Sequence, residues 1–335
     1  MSHVHSAPIT RLVSHGLLAL GLVAVGLSGL VGGASAAPPP TAAKPKGEPV
    51  AVNLRIATFN SAATQSVKRA VADIKRIAAE SPDVIALQEM GSGERRKQVR
   101  AKLVDCKSCL YDAHMPASPV PGSTPMLYRS DRFELLGVGT RKVTDDTFVG
   151  EKGAGPATIR AKYVNWIQLR ELSTGRQVYV LNNHAVPTVQ ATNGGPNKKQ
   201  PKRVEIFRKH MAGLTALMTE IREAAGGATI FVTGDLNVNF RKDRDVAAKV
   251  FPYYTLGLLN THASFETLGE PKDGTHVLPN GFSLRLIDYV YYLDRRAVEA
   301  QSQQILKGLN SDHRALIVDF KLMNRGCFKR GERLC

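Results

Sequence analysis

Residues Thr229–Val238 read TIFVTGDLNV, and the remainder of the chain is interpreted from that stretch. Thr229-Ile230-Phe231-Val232 is a short apolar, β-branched run of the kind that forms a buried strand. It ends at Gly234, and Asp235 and Asn237 then flank Leu236. Residues i and i+2 of an extended backbone point to the same face. A carboxylate and an amide therefore project together from a strand end, while Leu236 turns back to the core. Such a pair suits a phosphate, a water or a divalent cation. A plain polar strand-to-loop turn is the alternative, because Asp and Asn are common in turns.

The same pattern recurs elsewhere in the chain. Asn53–Asn60 alternates as a strand ending in Asn60, and Val67, Val71, Ile74, Ile77 and Ala78 recur at helical spacing within Thr64–Glu80. Ser81-Pro82-Asp83 stops that helix, and Val84–Leu87 is a second buried strand that runs into Gln88-Glu89. If the two strands are parallel, Asn60 and Glu89 lie at the same end. Further strands are expected at Met126–Tyr128, Phe133–Val138, Tyr163–Leu169 and Gln177–Leu181, the last running into Asn182-Asn183-His184. Val189–Arg203 reads as a loop carrying Lys198, Lys199, Lys202 and Arg203. A long amphipathic helix follows, marked by Val204, Phe207, Met211, Leu214, Met218 and Ile221. Leu284–Leu293 reads as an apolar strand containing Asp288, and Ala315–Leu322 as the last core strand, entered through Ser311-Asp312-His313.

Composition bounds the classes of function. The 335 residues carry a formal net charge of +16, which implies attraction to polyanions. Met1–Ala36 has one charge (Arg11), an apolar core and Ala34-Ser35-Ala36 as a cleavage site, the form of a secretory signal. Residues 37–52 read as a flexible Pro/Ala/Lys leader, residues 53–322 as one domain and residues 323–335 as a Cys-containing tail. No stretch after the signal is long enough to cross a membrane; the signal leads us to expect a secreted protein, and a monomer is expected. The four cysteines fit export, with Cys106–Cys109 and Cys327–Cys335 as the preferred pairing.

Phosphodiester hydrolysis needs a base for water, charge stabilisation at phosphorus and a proton for the leaving oxygen. The chain offers three oxygen donors for a hard cation, Asn60, Glu89 and Asp312. It also offers two imidazoles, His184 and His313, which titrate near neutrality. Asp288 is a candidate to orient one of them.

The motifs TFN (Thr58–Asn60), LQE (Leu87–Glu89), NNH (Asn182–His184), GDLN (Gly234–Asn237), IDYV (Ile287–Val290) and SDH (Ser311–His313) occur in this order. The set resembles the endonuclease/exonuclease/phosphatase superfamily, which includes deoxyribonuclease I and neutral sphingomyelinases, over nearly all of Asn53–Phe320. The resemblance implies a four-layer α/β/β/α sandwich of two mixed sheets flanked by helices. It implies Glu89 as the main Mg²⁺ ligand (Ca²⁺ or Mn²⁺ being alternatives), with Asn60 and Asp312 in support. It implies His313 as general base oriented by Asp288, and His184 as general acid or phosphate ligand. Asp235 and Asn237 would hold the attacking water, the phosphate or a second cation.

This chain departs from the family pattern in three places. Asn183 and Ala185 stand where NTHL is more usual. Pro121–Arg129 holds no acidic partner for His184 of the kind deoxyribonuclease I uses. There is no aromatic hairpin for membranes, the single Trp166 lying in an expected core strand. Thr275, in Gly274-Thr275-His276, and Arg160 are further candidates to contact phosphate. His114, His210, His262 and His276 are expected to be structural or surface residues.

A nuclease acting on nucleic acid is the first reading, from the site and the basic charge, with Lys198 and Lys199 as backbone contacts. A lipid or inositol-phosphate phosphoesterase using the same site is the alternative. A non-catalytic binding module is the third, and a fully occupied set of expected positions argues against it.

Overall fold

The computed structural model describes residues 51–150, 157–225, 229–278, 284–293 and 297–323, together with the backbone of 328–329 and 332–333. In chain order the elements are β1 (Val52–Asn60), α1 (Val67–Ala79), β2 (Val84–Gln88), α2 (Gly93–Leu103), β3 (Tyr111–His114), β4 (Met126–Arg129), β5 (Phe133–Lys142), β6 (Thr147–Phe148), β7 (Thr158–Ile159), β8 (Tyr163–Glu171) and β9 (Gln177–His184). Then follow α3 (Pro201–Ala224), β10 (Thr229–Asp235), α4 (Phe240–Val246), α5 (Pro252–Gly257), β11 (Thr261–Ala263), α6 (Ser264–Leu268), β12 (Asp288–Leu293), β13 (Val298–Leu306), β14 (Ala315–Leu322), β15 (Phe328–Lys329) and β16 (Glu332–Arg333).

Two six-stranded mixed sheets face each other, ordered β13-β14-β1-β2-β4-β3 and β11-β12-β10-β9-β8-β5. Each has one parallel pair near its middle, β1 with β2 and β9 with β10. The alternation of side chains sets the layers. Leu54 and Ile56 of β1, Val84 and Ala86 of β2, and Leu316, Val318 and Phe320 of β14 join the core between the sheets. Their neighbours Ala57, Phe59, Ile85, Leu87 and Ile317 face outward and pack with Ile74 and Ile77 of α1 and Val99 of α2. In β9, Asn182 reaches the opposite sheet through Gln88, whereas Asn183 faces out to His210 of α3. This is the sandwich of two mixed sheets flanked by helices that the motif order implies.

Several expectations are corrected. The strand placed over Leu284–Leu293 begins at Asp288, so Asp288 heads a strand and does not lie inside one. The preceding residues are buried by other partners: Leu286 N–H donates to Asn239 Oδ1, and Ile287 N–H to Thr275 Oγ1. α3 starts at Pro201, so Lys202 and Arg203 lie in its first turn, and Arg203 is fully buried and unavailable as a surface cation. α2 and β13 have no counterpart in the sequence reading. Ser92 caps α2, its Oγ accepting from Arg95 N–H, but the helix has no apolar period because Arg95 and Arg96 occupy its buried face beside Val99. A disulfide joins Cys106 and Cys109 as expected. The signal, most of the leader and the Cys327–Cys335 pair lie outside the described residues. Among the described residues no helix is long and apolar enough to cross a membrane.

Candidate active site

Strand register brings the motifs to one rim. The parallel β1–β2 pair sets Asn60 beside Gln88, with Glu89 next in the chain. The parallel β9–β10 pair sets His184 beside Asp235, and the antiparallel β10–β12 pair sets Asp235 beside Asp288. The two sheets meet where Asn60 Nδ2 donates to Asp235 Oδ2 (3.0 Å) and to Glu89 Oε1 (3.2 Å). Gly234 permits the close packing at this end. Its φ is +141°, and a Cβ there would lie 2.0 Å from the Asn183 carbonyl oxygen, so no side chain fits.

Each rim residue is held from behind. Glu89 adopts a left-handed backbone conformation, φ +61°, which is strained for a residue with a side chain. Arg95 of α2 secures it. Its guanidinium donates to Glu89 O (3.1 Å), Ser61 Oγ (2.9 Å), Ala62 O (3.2 Å), Ala63 O (3.2 Å) and Gln65 O (2.6 Å). The Ala63 N–H donates to Glu89 Oε2. Asp73 of α1 accepts from Asn310 N–H (2.9 Å) and Ser311 N–H (3.1 Å), and Ser311 Oγ donates to Asn60 O (2.8 Å). Helix α1 thereby fixes the loop that presents Asp312 and His313.

His313 is almost fully buried, and its Nδ1 faces Asp288 Oδ2 at 2.9 Å. Its Nε2 lies 3.7 Å from Asp235 Oδ2. Burial alone would lower the His313 pKa, but Asp288, Asp235 and Asp312 raise it to about 10. Asp235 is pushed the other way for a carboxyl, up to about 7, first by burial and then by the charge of Asp288. The carboxylates of Asp288, Asp235 and Asp312 thus act together on His313, whereas burial dominates at Asp235. His184 Nε2 sits 3.2 Å from Asn237 Nδ2, 3.5 Å from Asp235 Oδ2 and 3.9 Å from Glu89 Oε1. Burial, then the nearby charge of Lys162, push its pKa well below the usual value, so His184 is neutral at pH 7.

The structure thus brings together Asn60, Glu89, His184, Asp235, Asn237, Asp288 and His313. Asp312 is exposed and stands with His276 and His313. Thr275 is a correction. Its hydroxyl is shut off from solvent and accepts from the N–H groups of Ile287 and Asp288, each at 3.1 Å, so it pins Asp288 and cannot reach a phosphate. Arg160 is exposed, pairs with Asp146 at 3.5 Å, and borders a cavity of about 200 Å³ shared with Ser123, Thr124, Lys162, Tyr163 and His184. Lys198 and Lys199 are exposed in the segment after His184.

Lys162 has no counterpart in the sequence analysis, and His276, expected to be a structural or surface residue, lies beside the site. Lys162 is a half-buried cation lining that cavity. Burial lowers it to about 8, with Asp235 and Glu89 working against the drop. It stands at i+2 from Arg160 and borders the same cavity, and that spacing is the available signal. His276 pairs with His313 through an isolated backbone bridge and lies edge-on to its ring. His210 is structural as expected: it is buried, with Nε2 2.9 Å from Asn183 Oδ1. Asn183 in turn donates to Thr233 O (2.8 Å), which accounts for Asn in place of the more usual Thr.

No family model matches the chain, and no curated protein matches it. Solved structures do. An endonuclease/exonuclease/phosphatase family protein from Bacteroides thetaiotaomicron superposes with a TM-score of 0.59 at 16% identity, covering 82% of this chain and 96% of its own. D. rerio TDP2 complexed with a single-strand DNA product gives 0.56 at 16% identity, with 80% and 98% covered. A mannosyl-6-phosphatase from Bacteroides thetaiotaomicron gives 0.58 at 16% identity, with 80% and 99% covered. The fold is that of an α/β sandwich with a polar rim; it is the fold of the endonuclease/exonuclease/phosphatase proteins.

Proposed function

We propose that the protein is a divalent-metal-dependent phosphodiesterase acting on nucleic acid. The observation that carries this reading is the meeting of two imidazoles, three carboxylates and two carboxamides at one rim, drawn from both sheets. The donors fit a hard cation. Glu89 supplies a carboxylate oxygen, held in place by the Asn60 Nδ2 that donates to it, and the buried Asp235 beside Asp288 is a second carboxylate that a cation would stabilise. Glu89 and Asn60, with Asp312, would hold Mg²⁺, or else Ca²⁺ or Mn²⁺. Such an ion, when bound, orients the phosphate and offsets the charge that develops on it.

The chain's own groups do the rest. Asp288 on Nδ1 fixes the His313 tautomer and leaves Nε2 to take the proton of the attacking water. Positive charge brought among Glu89, Asp235 and Asp312 opposes the lift on His313 and favours its neutral form. Asn237 and neutral His184 orient a phosphate oxygen, and Lys162 and Arg160 meet its charge.

The basic excess and exposed Lys198 and Lys199 support a polyanionic substrate. TDP2, of the same fold, is complexed with a DNA product, whereas the mannosyl-6-phosphatase shows that the fold also carries other phosphate esters. We further propose export, supported by the pattern of Met1–Ala36 and by the Cys106–Cys109 disulfide.

The test is Mg²⁺-supported hydrolysis of plasmid DNA, RNA, sphingomyelin and inositol phosphates across a salt series. Nucleic acid should be cleaved fastest, with a steep salt dependence. Neutralising Lys198 and Lys199 should flatten the slope by about one for each phosphate left without its lysine. Faster cleavage of the lipid or inositol phosphate overturns the nucleic-acid reading, and an unchanged slope removes the two lysines from it.

A further inference from the structure

We propose that His276, Asp312 and His313 form a binding site for a transition-metal ion such as Zn²⁺, centred on the two imidazoles and not on Glu89 and Asn60, with Asp312 common to this set and to the Mg²⁺ set. One ligand atom from each of the three lies within 4.8 Å of the others. The backbone holds them in place. His276 and His313 face each other across an isolated antiparallel bridge, flanked by hydrogen bonds from Val277 N–H to Asp312 O and from Arg314 N–H to Thr275 O, both 2.7 Å. Facing residues of such a bridge project to the same side, and the two rings stand 4.9 Å apart at 75°.

The surroundings suit a metal. Asp288 occupies Nδ1 of His313 at 2.9 Å, the carboxylate–imidazole arrangement that orients ligating histidines and makes them more basic. The Nδ1 of His276 is enclosed and has no hydrogen-bond partner among the described residues. Asp312 is exposed, giving an ion a path from solvent and leaving a side chain able to turn. Bonds of about 2.0–2.2 Å to zinc require the three donors to draw closer on binding, Asp312 by turning and the two imidazoles by small ring rotations. Two imidazoles and one carboxylate, with a fourth position open to water, are donors for Zn²⁺, Co²⁺ or Ni²⁺ rather than Mg²⁺. The binding claim stands apart from the phosphodiesterase reading. One consequence does rest on that reading: an ion on His313 occupies the nitrogen that accepts the water proton, so the metal acts as an inhibitor.

Co²⁺ serves as the probe, titrated into the full-length protein with excess Mg²⁺ present and followed by visible absorption and by the melting temperature. The expected result is saturable absorption bands and a Co²⁺-dependent rise in melting temperature. His276→Ala and His276→Gln should each weaken binding by about tenfold or more. Absence of bands and of any rise in the parent overturns the proposal without recourse to a variant. So does binding by both His276 variants at the parent's affinity.

Discussion

His210 shows how one buried group ties the site to pH. Burial and the charge of Lys162 lower its pKa to about 3, while in the unfolded chain it protonates near the usual 6.5. Between those values the unfolded state holds more protons, so stability falls as pH falls through this window. His184, lowered by the same causes, adds in the same direction. His210→Gln keeps a donor for Asn183 Oδ1 and removes the titration. Denaturant melts between pH 4 and 7 should show a shallower acid slope in the variant, by up to about 1.4 kcal/mol per pH unit. A parent-like slope would show that His210 is not held neutral. The Asn183–His210 pair also shows why a motif departure can be harmless. The Asn side chain faces away from the rim, toward α3, and serves packing rather than chemistry.

Helix α2 does for Glu89 what α1 does for the His313 loop. Arg95 binds five acceptors that shape the turn after β1 and the backbone of Glu89. Arg95→Met keeps the apolar stem and leaves those acceptors unpaired. It should destabilise the fold by about 3 kcal/mol and raise the Mg²⁺ concentration for half-maximal activity by about tenfold, measured on protein still folded at the assay temperature. Unchanged metal dependence would confine Arg95 to stability. This helix was invisible in the sequence because its buried face is polar, so no apolar repeat marks it. The strands of both sheet centres were legible for the opposite reason: β1, β2, β9 and β10 are buried runs that end in polar groups, and β14 is one that follows them. The site was legible at the strand ends, where register sets His184 beside Asp235 in one sheet and Asn60 beside Gln88 in the other, and the stacking of the sheets brings Asn60 to Asp235. Thr275 was misjudged because a threonine hydroxyl that pins a backbone reads in sequence like one that meets a ligand. Lys162 was passed over for Arg160, which borders the same cavity.

For the molecule as a whole, two mixed sheets stacked face to face collect both sets of strand ends at one rim, and hydrogen bonds between Asn60 and Asp235 and between Gln88 and Asn182 lock that rim across the core. Each sheet supplies half of the candidate site: Asn60, Glu89, Asp312 and His313 from one, and His184, Asp235, Asn237 and Asp288 from the other. Neither half is a site alone. The central claim is that carboxylates from this rim hold a divalent cation that the two histidines require for phosphodiester hydrolysis. Its most direct measurement is the rate of DNA hydrolysis by purified protein in chelator and after restoring Mg²⁺, for the parent, Glu89→Ala and His313→Ala. The parent should be inactive in chelator and recover with Mg²⁺, and each variant should remain at least about 10²-fold slower at saturating Mg²⁺. A parent rate unchanged by the chelator, or variants that match the parent, would contradict the account.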